Sequence, residues 1–257
     1  FASQTFTRPD WLTIAQAAYK FVQTNMTAND RMMHSWCAGE ARHPATLDDH
    51  ANMARAAVAL YESTGNSGYL DDTHKLTDQI DAYYRDENGG YFFAANDTPH
   101  LITRTKNAND NATPSGNGTL VGVFTRMYYL TGDETYRTRA ESIVKAFAGE
   151  VTRNFFPLST LLNSNELLNR GLQIVIIGDR ANSDTAALLD ALENHCLPNR
   201  ILNVIATAKQ LPDGHPATGK DQIDGKPTAY VCEGPVCSLS MTTPEDLSAF
   251  LAMKPTP

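Results

Sequence analysis

Three aspartates, Asp48, Asp49 and Asp110, are the residues of this chain best suited to acid–base chemistry. Asp48 and Asp49, followed by His50, open a helical pattern that continues to about Ser63; Asp110 lies in a polar run, residues 107–118, that leads into the next helical pattern. Two carboxylates facing one cavity can protonate a leaving oxygen while activating water, or move a proton at a sugar carbon. The competing reading is structural, because acidic residues at a helix start satisfy free N–H groups and oppose the macrodipole. Lys106, Ser115 and Asn117 are hydrogen-bonding candidates in the same loop, while Pro114, Gly116 and a capping Ser115 or Asn117 would equally suit a turn. Upstream, Trp36 offers a stacking platform and Arg42 a cation, with core packing as the commoner fate of a Trp. His50 completes the set of candidate substrate-binding residues.

The cysteines give a weaker signal. Cys232 and Cys237 bracket Glu233, Gly234, Pro235 and Val236, which is not the C-x-x-C spacing of a reactive pair. A zinc site would need a second ligand pair, and His195, Cys196 and His215 are poorly spaced for one, so no metal is expected. Burial in a strand and turn is the expected state of Cys232 and Cys237, with redox pairing as the alternative; Cys37 and Cys196 read as buried thiols. Gly178 and Asp179 follow an apolar run, but neither G-x-G-x-x-G nor the P-loop pattern follows, and G-x-S-x-G and H-E-x-x-H are missing too. No cofactor is expected.

The elements that must position these residues are mostly helical hairpins. Residues 57–80 and 124–147 superimpose without gaps at an offset of 67, placing Tyr61 on Tyr128, Gly65 on Gly132 and Tyr69 on Tyr136. In each copy a helical apolar pattern stops at Thr-Gly-Asn or Thr-Gly-Asp and a second begins at an aromatic residue. Glycine suits the left-handed residue after a helix, and the polar neighbour can cap the next one. A partial copy, Pro9, Asp10, Trp11, Leu12 through Phe21, begins the chain in mid-hairpin, which suggests a fragment or a domain completed by a partner. Residues 86–93 carry a short β-hairpin signal. After about Asn165 the pattern changes to strands at 172–177, 201–206 and 228–232, a helix from Asp184 to about His195, and a last helix at 247–253 with Thr243 as N-cap. The expected division is therefore 1–165, helical hairpins, and 166–257, a small α/β unit ending in a helix.

The 257 residues carry a net charge of −8 and contain no apolar run near the roughly 18 residues of a membrane span. Nucleic acid and membrane surfaces are disfavoured as partners. No signal peptide is visible, and a reducing, cytoplasmic location is the expectation.

The segments LDDHANMARAAVALYESTGN, GGYFF, NDNATPSGN, LTGDETY, FAGEV, VIIGD, LPN and GKPTAYVCEGPVC, in that order, resemble the C-terminal region of the thioredoxin-domain-containing spermatogenesis-associated proteins, from about Thr7 to Leu251. The resemblance implies a mainly α fold, an (α/α) toroid similar to six-hairpin glycosidases and N-acylglucosamine 2-epimerases, here incomplete at the N-terminus and lacking the family's thioredoxin-like domain. It implies a carbohydrate ligand and an epimerase-like or glycosidase-like activity using Asp48, Asp49 and Asp110. The alternative is a non-catalytic scaffold for the thioredoxin-like domain or the missing toroid half. Two departures stand out: Asp48-Asp49-His50 where relatives read Asp-Asp-Tyr, and Asn109-Asp110-Asn111-Ala112 where they read Tyr-Asp-Gly-Ala.

Overall fold

The computed structural model describes residues 2–254. Helices α1 (Ala2–Thr5) and α2 (Pro9–Asn25) lead into an antiparallel meander, β1 (Thr27–Ala28), β2 (Arg31–Cys37) and β3 (Glu40–Pro44). Two hairpins follow, α3 (Leu47–Thr64) with α4 (Gly68–Tyr84) and α5 (Gly116–Thr131) with α6 (Glu134–Arg153), then α7 (Ser159–Arg170). The chain closes with β4 (Leu172–Ile177), α8 (Ser183–Glu193), β5 (Arg200–Ile205), β6 (Thr228–Glu233), β7 (Val236–Cys237) and α9 (Pro244–Ala252).

The two full hairpins end their first helices identically. Gly65 and Gly132 stand at φ 73° and 72°, and their N–H groups donate to Tyr61 O and Tyr128 O at 2.7 and 2.8 Å. A side chain is disfavoured at that φ, so glycine sets where each helix stops. α5 packs on α3 on one side and α7 on the other, while α4 and α6 pack outside their own partners. The inner row is thus α3, α5, α7 and the outer row α4, α6, the layering of a mainly α, hairpin-built toroid segment. Leu47, Val58, Ile80, Leu120, Phe124, Ile143, Phe147 and Leu161 fill the core between the rows. Glycine also permits the closeness of the inner row: a Cβ on Gly116 would lie 2.5 Å from Asp48 Oδ1, and one on Gly118 2.9 Å from Leu161 N.

In the C-terminal unit the strand order is β5-β4-β6-β7, with β4 parallel to β5 and antiparallel to β6. Every residue of β4 is buried, as a central strand covered on both faces must be. α8 and α9 cover one face through Leu188, Leu192, Leu247 and Leu251. β5, at the sheet's outer edge, docks on the hairpins: Leu202 N donates to Glu62 Oε1 (3.1 Å) and Tyr61 Oη to Asn203 Oδ1 (2.8 Å). Arg180 adds two bonds, to Ser63 O (2.9 Å) and Glu62 O (2.7 Å), where the free carbonyls of the α3 C-terminus favour a cation.

The expectations for the cysteines and for residues 86–93 need correction. Cys232 is buried in its strand as expected, but it is also joined to Cys237 in a disulfide, the pairing held as the alternative, because β6 and β7 place the two directly opposite each other with Cα atoms 3.9 Å apart. Cys37 and Cys196 are exposed thiols rather than buried ones, since Cys37 ends β2 beside a tight turn and Cys196 lies in the loop between α8 and β5. Residues 86–93 form a turn closed by a single antiparallel bridge, Arg85 to Tyr91, not a two-stranded hairpin. A real meander lies earlier, where Ala38 (φ 52°) and Gly39 (φ 84°) make the tight turn between β2 and β3.

Candidate functional site

The starts of α3, α5 and α7 lie side by side, and aspartates tie each to the next. Asp48, in the first turn of α3, accepts from Gly116 N of α5 at 2.7 Å. Asp110, in the loop before α5, accepts from Ser115 N (2.9 Å) with Oδ1 and from Thr160 N of α7 (2.7 Å) with Oδ2. Asp48 and Asp110 are therefore brought onto the consecutive amides of Gly116 and Ser115. Each carboxylate lies against the positive end of the next inner helix, where a negative charge is favoured. Asp49 turns inward on its own helix: its Oδ2 accepts from Thr46 N (2.7 Å) and Thr46 Oγ1 (2.8 Å), and His34 Nδ1 lies 2.8 Å away.

Burial raises the Asp48 carboxyl above its ordinary pKa; the Gly116 amide pulls it down and neighbouring Asp49 adds to the rise. His50 is buried, its Nδ1–H donates to Thr46 O (3.1 Å), and burial holds its pKa below the usual imidazole range.

The other residues singled out in the sequence are bonded into the fold. Asn117 is buried and clasps the 86–108 segment: Oδ1 accepts from Tyr91 N, and Nδ2 donates to Tyr91 O and Asn107 O, all at 2.9 Å. Ser115 caps α5, accepting from Gly118 N at 3.2 Å and donating to Ala108 O at 2.9 Å. Lys106 donates to Asp86 Oδ2 and Gly89 O. Trp36, 39% exposed, sits edge-on to Phe21, and the exposed Arg42 pairs with Glu40 at 3.0 Å.

From the first turn of α7 and further along α3 and α5, the inner faces of these helices line a cleft of about 460 Å³, with Pro198 and Asn199 completing its lining. Its floor is α5, at Thr119, Gly122, Val123 and Arg126; Arg55 and Glu62 line it from α3, and Thr160, Asn163, Ser164 and Glu166 from α7. Glu62 and Arg126 are committed to the fold, being 3.6 Å apart, with Glu62 also holding Leu202 N. The side chains of Thr160, Asn163 and Ser164 make no hydrogen bond among the described residues, and the Thr119 hydroxyl, on a residue only 3% exposed, has no partner there either. Unused donors and acceptors thus converge on the cleft, whereas Asp49, Asp110, Ser115 and Asn117 are occupied above it. Sequence reading passed over these cleft residues. Spacing carried the signal: Asp48, Arg55 and Glu62, and likewise Thr119 and Arg126, recur every seven residues, two helical turns apart on one face.

No family model matches the chain. It is similar to spermatogenesis-associated protein 20 of Homo sapiens, with 28% identity over 255 residues, covering 90% of this chain and 32% of that protein. The Rattus norvegicus protein of the same name is 28% identical over 218 residues, covering 80% of this chain and 27% of the relative. The resemblance read from the motifs is thereby shown, and the chain spans about a third of the length of these curated relatives. Among solved structures, a family 76 glycoside hydrolase from a bovine Bacteroides thetaiotaomicron strain aligns over 55% of this chain and 30% of its own, at 19% identity and a TM-score of 0.44. Cellobiose 2-epimerase from Bacillus thermoamylovorans B4167 aligns over 92% of this chain and 62% of its own, at 13% identity and a TM-score of 0.46.

Proposed function

We propose that the inner face of the helical hairpins binds a carbohydrate, and that carboxylates at its mouth act on it in an epimerase-like or glycosidase-like reaction. The observation that carries this reading is the convergence of uncommitted hydroxyl and amide groups, Thr160, Asn163 and Ser164, on a cleft large enough for a sugar. A polyhydroxylated ligand needs many neutral hydrogen-bonding partners and little apolar area. Asp48 is the acid in this scheme: its Oδ2 is unbonded among the described residues, and its raised pKa favours a proton donor. Asp110, held on two amides, is the second carboxylate, and Asp49 the third within the same group of helix starts. Asp48→Asn keeps the acceptor oxygen for Gly116 N while removing the acid; Asp110→Asn removes the second carboxylate and keeps an acceptor for only one of its two amides, so circular dichroism checks that it folds. Expected are folded proteins that retain sugar binding by calorimetry but lose turnover of a panel of mono- and disaccharides. Wild-type turnover in both variants would remove the aspartates from the chemistry, and no sugar binding by the parent protein would end the reading altogether.

A second reading has its own observation. α2 buries Leu12 and Tyr19 against α3 and α4, yet its opposite stripe, Trp11, Ile14, Ala15, Ala18 and Phe21, is exposed, with Ile14 at 65%. An apolar stripe at helical spacing normally lies against another element. This supports a scaffold role in which α2 receives a further helical hairpin or the thioredoxin-like domain implied by the family resemblance.

A further inference from the structure

Each charge around the cleft has a partner except one. Glu62 faces Arg126 at 3.6 Å, and Glu166 is bonded to Arg170 at 3.0 Å. Arg55, on the wall contributed by α3, makes no hydrogen bond and no ion pair among the described residues. It stands seven residues from both Asp48 and Glu62, midway along the inner face of α3, roughly 10 Å from each along the helix axis. In the open cleft its guanidinium is solvated. A ligand that fills the cleft strips that water away, and an unpaired cation is then costly unless the ligand supplies an anion. The planar fork of a guanidinium matches a carboxylate or a phosphate with two parallel N–H···O bonds.

We infer that the cleft selects a sugar bearing an acidic group, a uronate or a sugar phosphate, whose anion pairs with Arg55 while its hydroxyls meet Asn163 and Ser164. This inference rests on the carbohydrate reading above and names the class of sugar. Arg55 is a specificity-determining residue, and Asn163, an exposed cleft residue whose amide makes no hydrogen bond among the described residues, reports on the sugar ring.

The test is calorimetric titration of the parent chain, Arg55→Gln and Asn163→Ala with D-glucose, D-glucuronate, glucose 6-phosphate and inorganic phosphate. Arg55 and Asn163 are exposed, so both variants should fold as the parent does, which circular dichroism checks. Expected for the parent is at least tenfold tighter binding of one acidic sugar than of glucose. Arg55→Gln should erase that preference, and Asn163→Ala should weaken glucose and the acidic sugar together. Which of glucuronate and glucose 6-phosphate gains more identifies the acidic group. Equal affinity for glucose and both acidic sugars, unchanged in Arg55→Gln, overturns the inference and leaves the carbohydrate reading standing. Inorganic phosphate binding as tightly as glucose 6-phosphate, with Asn163→Ala inert, overturns the carbohydrate reading instead, and no binding of any probe overturns both.

Discussion

Asp48 shows how one carboxylate can serve the fold and still be poised for chemistry. Its Oδ1 holds the first amide of α5, and a Cβ on Gly116 would stand 2.5 Å from that oxygen, so glycine there keeps the contact open. Since burial raises its pKa, the folded state favours the protonated form. The unfolded chain ionises first as pH rises through the ordinary value of 3.8, so Asp48 lowers stability progressively above that pH and contributes nothing well below it. Asp48→Asn keeps the acceptor and removes this penalty. Urea midpoints between pH 3 and 6 should therefore rise in the Asn variant relative to the parent as pH increases, while Asp48→Ala, which loses the acceptor as well, should lie about 1 kcal/mol below Asp48→Asn at every pH. A relative midpoint that falls with pH in the Asn variant would show that the charge is stabilising. Ring size and charge at His50 have a simpler role: buried against Tyr84 at 5.2 Å between ring centroids, it is part of the core beneath α3.

At the level of elements, the decisive device is the clasp between the long 86–115 segment and α5. Asn117 makes three hydrogen bonds across it from a site 1% exposed. Replacing it by Ala leaves Tyr91 N, Tyr91 O and Asn107 O without their partner, and buried orphaned groups cost about 1–3 kcal/mol each when water cannot reach them. Asn117→Ala should lose about 3 kcal/mol by chemical denaturation; a loss below about 0.5 kcal/mol would mean that the segment rearranges to satisfy those groups. The polar composition of this loop suggested ligand contacts, and in the sequence nothing separated that from internal bonding. The hairpins themselves were legible, because an apolar period broken by Thr-Gly-Asn and Thr-Gly-Asp predicts two helices and a left-handed glycine from local stereochemistry alone. The N-cap of α9 was equally legible: Thr243 accepts from Asp246 N at 3.2 Å. α7, STLLNSNELLNR, was passed over in the sequence although Leu161, Leu167 and Leu168 fall on one helical face, which packs on α5.

Across the whole molecule, two surfaces of the hairpin array are in different states. The C-terminal parts of α3 and α5 are closed by the sheet edge, through Glu62, Arg126 and Arg180. The outer stripe of α2 is not closed, and Trp36 of β2 extends it through its contact with Phe21 at 5.5 Å between ring centroids. Among the described residues no helix is long and apolar enough to cross a membrane, so the stripe is not a span. If α2 receives a further hairpin or a thioredoxin-like domain, Ile14→Glu should leave the midpoint of this chain within about 0.5 kcal/mol, as expected of an exposed site. The same substitution should abolish co-purification with those segments of a full-length relative. Undiminished co-purification would remove α2 from that contact.

The sequence by itself determined the helical hairpins, their glycine stops, the strand, helix, strand order of the C-terminal unit and the resemblance of the chain to its relatives, because all of these rest on local periodicity, capping and ordered motifs. Only the tertiary structure decided which polar residues remain available. Asp110, Ser115 and Asn117 look no different in sequence from Thr160, Asn163 and Ser164. Packing α3, α5 and α7 together, with glycine at the closest approaches, turns the first group onto backbone amides and carbonyls and leaves the second facing an open cleft. The Cys232–Cys237 disulfide was decided in the same way, by strand register rather than by spacing along the chain.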